Sequence, residues 1–331
     1  MAETESIKKE IEDNTYFQMP QVQHTYRILL ARYSIMKQEM EKGREMLENC
    51  QKQAHHLDRF ERNLLAHTWG VFFLSVGKTR EAMQHLNHIN PLEYNNHEFY
   101  YHLANAFHHM EAKVKAYHFG SLALSFFQKT NNFKRILDTE LLMVIQMESN
   151  EIYQFDNTIN KYHSLIKSCR SYKEEAKEMN LWHNLGVQYS AKGHYPEAKE
   201  AYKKVMAMSE RIEHPYLKLG AIRGYIHCSL LSSVYDKNEI EDYLHTGIAL
   251  AKRLQNKTYL YGFEILHLQL GDKQVEEYFS FLENTFLPHL RLTGNRSLLS
   301  LYEKELFHYF REKGNYQKAC ELSIRYIEPA Y

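Results

Sequence analysis

The chain has 331 residues, and its 41 Lys plus Arg balance 41 Asp plus Glu, so no net field draws it to nucleic acid or to an anionic membrane. At 44 % hydrophobic it can fill a large core or several stacked units, yet it has no apolar run near the roughly 18 residues that span a bilayer and no apolar leader, and it reads as soluble and cytoplasmic. Four scattered cysteines (Cys50, Cys169, Cys228, Cys320) without a CxxC read as reduced, mostly buried thiols, and six prolines with weak strand signals point to an all-α chain.

Residues 1–58 stand apart. SIKKEIEDNTYFQ is a charged helical stretch, and Pro20 marks a break or a first helical turn. HTYRILLARYSIMKQEMEKGREML predicts one long amphipathic helix with Tyr26, Leu29, Leu30, Tyr33 and Met36 inward. This segment is expected to cap the repeats C-terminal to it, or to be the linker or remnant of an effector module.

From residue 59 a large–small–large pattern recurs. In LLAHTWGVFFLSVGKTREAMQHLNHINP it is carried by Trp69, Gly70, Phe73, Gly77, Ala82 and Leu86, closed by Pro91. Leu103, Ala104, Phe107 and Ala116 repeat it, and a weaker unit runs from Leu142 through Ile145 to Tyr162. The fullest copy is LWHNLGVQYSAKGHYPEAKEAYKKV, with Trp182, Leu185, Gly186, Tyr189, Gly193, Tyr195, Ala198 and Tyr202. Degenerate copies follow over Gly220 to Leu250 and Tyr259 to Leu282, and a last one holds Leu306, Phe310, Gly314, Tyr316 and Ala319.

In the fullest copy these residues fall at positions 4, 7, 8, 11, 15, 17, 20 and 24 of the 34-residue tetratricopeptide template. Small residues at positions 8 and 20 let two antiparallel helices approach, large ones fill the seam, and glycine at 15 takes the left-handed turn. The first four units are offset by 34, 42 and 40 residues, so several helices carry extra turns. The expected fold is a right-handed superhelix of about seven such helix-turn-helix repeats over 59–331, a scaffold that binds along its concave face.

Catalytic and metal chemistry find little support. The twenty histidines include HH pairs such as His55/His56 and His108/His109, whose rings point about 100° apart on a helix and do not chelate. There is no HExxH, phosphate-binding glycine loop or nucleophile elbow, and Cys228 beside His227 is adjacency rather than contact. No metal and no cofactor are expected. Lys199, Lys203 and Lys204 are interleaved with Glu197 and Glu200, as on a solvated helix face.

What remains is the groove. The first helix of each unit lines it through positions 2, 5, 6, 9 and 12, which place His67, Tyr101, Asn105, His108, Glu140, Asn180, His183 and Asn184 there. An asparagine amide both donates and accepts, so it can pair with the main chain of an extended peptide whatever its side chains. Tyr302, Phe307 and Tyr309 near the C-terminus read as either a dimer surface or packing between repeats.

The long repeats, FYYHLANAFHHMEAKVKAYHFGSLALSFFQK, the unit around Asn184 and EYFSFLENTFLPHL…ELFHYFREKGNYQKACELS resemble the Rap/NprR/PlcR-type quorum-sensing peptide receptors of Gram-positive bacteria, from about Tyr26 to Glu328. The resemblance implies an intracellular receptor whose groove binds an imported signalling peptide and which then changes conformation or oligomeric state, homodimers included. It carries the peptide-anchoring asparagine onto Asn184 and, more weakly, onto Asn105. Outputs in that group differ with the N-terminal module, a DNA-binding domain or a bundle that acts on response-regulator proteins. This chain shows neither, and Gln18, Gln21 and Gln23 do not align with a phosphatase glutamine, so it reads as an isolated receptor domain or a short member. Transcription control is the expected output; an aspartate phosphatase of Rap type and a general protein–protein scaffold are the alternatives.

Overall fold

The computed structural model describes the backbone of residues 2–147, 155–233, 235–271 and 275–327, and among these there is no strand. The helices are α1 (Ala2–Glu12), α2 (Pro20–Met36), α3 (Met40–Lys52), α4 (Arg59–Ser75), α5 (Thr79–Leu86), α6 (Pro91–Tyr94), α7 (Phe99–His109), α8 (Lys113–Lys129), α9 (Phe133–Met147), α10 (Phe155–Ser171), α11 (Glu175–Ala191), α12 (Tyr195–Met208), α13 (Pro215–Ser232), α14 (Lys237–Arg253), α15 (Lys257–Leu270), α16 (Val275–Phe281), α17 (Leu287–Thr293), α18 (Arg296–Glu312) and α19 (Tyr316–Ile327). Successive helices pack on one another along much of the chain, as in α4 on α5, α7 on α8, α11 on α12, α12 on α13 and α18 on α19. The fold is all-α and built of tetratricopeptide-like helix-turn-helix repeats. It divides into two compact units, Met1–Leu165 and Ile166–Tyr331.

The repeat residues do what their spacing predicts. A methyl group on Gly186 of α11 would stand 2.7 Å from the Tyr202 ring of α12, and one on Gly224 of α13 would stand 2.4 Å from the same ring. Tyr202 is therefore wedged between two glycine-bearing helices. Gly70 makes room for Leu86 in the same way, at 2.5 Å, while Ala82, Ala116 and Ala198 are fully buried. Interiors are close-packed, so the seam tolerates bulk on one side only.

One turn recurs between helices. A residue with positive φ ends the helix, and the next amide donates to a carbonyl five residues back: Lys78 to Phe73, Ala112 to Phe107, Asn132 to Phe127, Glu174 to Cys169, His194 to Tyr189, Asn256 to Ala251, Asn295 to Leu290 and Asn315 to Phe310. This is the Schellman closure, which satisfies a carbonyl left over at the helix end. Glycine holds the left-handed position at 77, 193, 294 and 314, but Glu111, Asn131, Lys173 and Gln255 hold it elsewhere.

The N-terminal region corrects two expectations. The single long helix is broken by the same turn at Gln38 (φ 65°), where the Glu39 amide donates to Ser34, giving a hairpin of α2 and α3. Its buried face is Ile28, Ala31, Ser34 and Ile35, whereas Leu29 and Met36 are 46 % and 70 % exposed. The small side chains Ala31 and Gly43 set that seam, and Gly43 lies against Ile35. Tyr26 and Tyr33 instead donate from their hydroxyls to Glu12 and Glu5 of α1. Pro20 begins α2, where its missing N–H costs nothing. The side chains of Gln18 and Gln21, and Glu328, lie outside the described residues, as does part of the segment between Leu142 and Tyr162.

In the second unit α16 and α17 are joined through a π-helical turn, Leu282–Phe286, in which the Leu287 amide donates to Leu282. Pro288 follows directly and has no N–H for the ordinary ladder, so the register shifts there. Tyr302 is buried against Phe286, and Tyr309 stacks on Phe279 at 3.7 Å between ring centres. With the half-buried Phe307 they pack in the core of this unit.

Candidate functional site

First helices lie side by side within each unit: α4 touches α7 and α7 touches α9; α11 touches α13 and α13 touches α15. Side chains three or four residues apart on these helices share one face. The expected site residues fall on these helices, but the two units treat them differently.

In the first unit the polar side chains largely bind one another. His67 is fully buried, its Nδ1 2.9 Å from the Tyr94 hydroxyl and its ring 5.0 Å from that of His102, so it belongs to the core and not to an open groove. Burial, with the nearby His102, Arg32 and Arg135 charges, holds it well below the usual histidine range. Glu98 accepts from Arg32 at 2.8 Å and from Arg135 at 2.9 Å, tying the start of α7 to α2 and α9. Burial opposes its ionisation, but Arg32, His102 and Arg135 outweigh that and lower its pKa. Tyr101 lies under the Arg135 guanidinium at 5.1 Å, and burial raises its hydroxyl pKa. His108 Nδ1 is 2.9 Å from the Gln146 amide, and Lys161 donates to Glu140 at 2.6 Å. Asn105 is half-buried and, among the described residues, its amide has no hydrogen-bond partner.

The second unit leaves its polar groups open. Asn180 and Asn184 are half-buried on α11. Among the described residues Asn180 has no side-chain partner, and the Asn184 Oδ1 meets only the neighbouring His183 Nδ1, at a long 3.5 Å. His183 tucks against α13 where Gly220 leaves space: a methyl there would stand 2.5 Å from its Nε2 and 3.4 Å from the Tyr259 hydroxyl of α15. Burial lowers the His183 pKa, so the ring is neutral at pH 7 and its nitrogens can donate or accept according to tautomer.

The other candidates are packing and surface residues. Lys204 lies 3.8 Å over the Trp182 ring, and Lys203 is 3.8 Å from Glu239. The Cys228 thiol donates to the Ser190 hydroxyl at 3.3 Å, and burial raises its pKa, the opposite of an activated nucleophile. Among the described residues no three His, Cys, Asp or Glu side chains are placed to hold a metal ion, and no helix is long and apolar enough to cross a membrane.

Two further residues of these faces are marked in the sequence by register. Glu98 occupies the same repeat position as Glu140 and Asn180. The offset of 40 residues that relates neighbouring units carries His183 onto Arg223 of α13. Arg223 is hidden in the sequence because its unit lacks the large–small–large signature that flags the others.

No family model and no curated protein matches the sequence. Solved structures do match in fold. The apo form of the quorum sensor NprR from B. thuringiensis superposes with a TM-score of 0.80 at 20 % identity, over 98 % of this chain and 91 % of that one. NprR in complex with its cognate peptide NprX gives 0.73 at 20 % identity, covering 99 % and 94 %. A Rap protein complexed with competence and sporulation factor gives 0.71 at 18 % identity, covering 98 % and 90 %. This chain has the fold of NprR and Rap.

Proposed function

We propose that the chain is an intracellular receptor for a short linear signalling peptide of roughly five to ten residues, held through its main chain by amides on the first helices. The observation that carries this reading is the state of α11. Asn180 and Asn184 sit half-buried on α11, and among the described residues no protein group pairs with their amides beyond the long Asn184–His183 contact. Half-buried amides without protein partners are open to a ligand, and an extended peptide offers the alternating C=O and N–H groups that would pair with them. The likeness to NprR, which has been seen with its cognate peptide, supports the same reading. Asn184 is the principal anchor, with Asn180 and His183 beside it on α11. Residues 59–331 form the peptide-binding domain, and residues 1–58 cap it. Binding biases a conformational or oligomeric equilibrium, and the output is transcription control.

The test is thermal stability of the chain against pools of heptapeptides. A peptide family that raises the melting temperature in proportion to the logarithm of its concentration is the expected result. Asn184→Ala then weakens that peptide by ~1–3 kcal/mol, since the peptide groups it served stay buried and unpaired. Unchanged affinity would remove Asn184 as the anchor. Silence from every pool, in folded protein, would point to a scaffold for folded partners. Peptide-sensitive loss of phosphate from a response regulator would move the output to the Rap-type phosphatase reading.

A further inference from the structure

Arg223 has a setting unlike that of the other half-buried arginines. Arg32 and Arg135 in the first unit share the Glu98 carboxylate, and even the exposed Arg291 of the second is 2.7 Å from Glu303. Arg223 is half-buried, and among the described residues no carboxylate lies within ion-pair distance of it. Its stem runs across α15 at Gly262, where a side chain's first carbon would stand 3.6 Å from its Cδ and 3.8 Å from Nη1. That is ordinary van der Waals distance, so the arginine stem lies directly against the backbone of α15.

The groups around it are donors or neutral rings. Its charge is felt by His183 on α11, by His227 on its own helix and by Tyr259 on α15, as well as by Tyr202 and Tyr302. Burial keeps both histidines below their usual range and Tyr259 above its own, so these side chains are neutral at pH 7 and none cancels the cation. One turn before Arg223, Gly220 opens a gap into which His183 Nε2 and the Tyr259 hydroxyl both project. Among the described residues that hydroxyl has no hydrogen-bond partner. A planar fork of N–H donors beside an O–H and an imidazole is the donor set that a carboxylate takes. A half-buried cation without a counter-charge is costly, and an arriving anion removes that cost.

We propose that Arg223, with Tyr259 and His183, is a carboxylate-recognition point on the face of α11, α13 and α15, and that it reads an acidic group of the bound peptide. This rests on the peptide-receptor function proposed for the chain. His183 adjoins Asn184, so the carboxylate is read next to the amide that holds the peptide main chain. The carboxylate is either the peptide's C-terminus or an Asp or Glu side chain, and the experiment separates the two.

Three heptapeptide libraries are titrated against the full chain by fluorescence anisotropy: one lacking Asp and Glu with a free C-terminus, the same one amidated, and an amidated one carrying a single Asp or Glu. The expected result is that the neutral amidated library binds at least tenfold more weakly than one of the other two, which names the source of the carboxylate. Arg223→Gln is expected to abolish that preference. Arg223→Lys, which keeps the charge and loses the fork, is expected to retain part of it and guards against a variant that does not fold. Equal binding of all three libraries, or an acid preference that survives Arg223→Gln, would overturn the proposal and leave the peptide receptor standing. Binding by none of the libraries would overturn both.

Discussion

The two halves of the molecule place polar side chains at the same repeat positions and use them in opposite ways. In Met1–Leu165 the first helices are laced together: Glu98 holds Arg32 and Arg135, Arg135 covers Tyr101, and His108 and Glu140 are taken up by Gln146 and Lys161. In Ile166–Tyr331 the corresponding face keeps Asn180, Asn184 and Arg223 open. Position in a repeat thus says that a side chain faces its neighbours, and only the neighbours say whether it is structural or available. A charge already neutralised cannot offer much to a ligand, whereas one left open costs stability until a ligand comes.

The sharpest way to break this contrast is to remove a charge from each half. Glu98→Gln strands Arg32 and leaves Arg135 only Asp138, at 3.6 Å, and is expected to cost about 3 kcal/mol in urea unfolding. Arg223→Gln removes a cation with no counter-charge and is expected to leave stability within about 0.5 kcal/mol of the parent, or to raise it. Equal losses would mean that Arg223 supports the fold as much as Glu98 does.

Acid gives the next largest effect. In the folded chain burial and the Arg32 charge, opposed by Glu98, push His102 down to about 3, and His67 is likewise held low. Both therefore stay neutral at pH values where the unfolded chain protonates them from its ordinary 6.5. The unfolded state binds the extra protons, so stability is full above about pH 6.5 and declines as the pH falls below it. Glu98, lowered from 4.5, adds a further loss as the pH drops through its folded value. Melting temperature against pH should show the decline beginning near 6.5, and His102→Leu should flatten it between there and 4.5. A curve identical in parent and variant would place the acid sensitivity elsewhere.

The turns provide the smallest test. Lysine, glutamate and glutamine in the left-handed region cost roughly 1 kcal/mol relative to glycine, so Glu111→Gly should gain up to that amount and Gly193→Ala should lose about as much. Thermal melts of the pair, one rising and one falling, would confirm that both halves close their repeats by the same device.

Legibility in the sequence follows the same division between spacing and partners. Gly186 against Tyr202 and Gly70 against Leu86 were legible because close approach leaves a large–small signature at fixed spacing. The turns at Gly77, Gly193 and Gly314 were legible for the same reason, while those at Gln38, Glu111, Lys173 and Gln255 were not, since nothing in those residue types announces a positive φ. The buried face of α2 was misread because large aromatics were given to the core, when Tyr26 and Tyr33 lie along α1 and the seam is made by Ala31 and Gly43. In the candidate site, Asn180 and Asn184 came out of register alone, but the burial of His67 and the isolation of Arg223 are set by partners on other helices, which no spacing within one unit reveals.

The recurring turn carries a consequence for how such a chain ages. The bond that closes these turns runs from main chain to main chain, so no particular side chain is needed to make it, and a lost glycine weakens the turn without undoing it. Erosion can then proceed one turn at a time, each step absorbed by the neighbouring helices. The architecture does not need glycine at every turn, and a chain 20 % identical to NprR superposes on it with 98 % of its length.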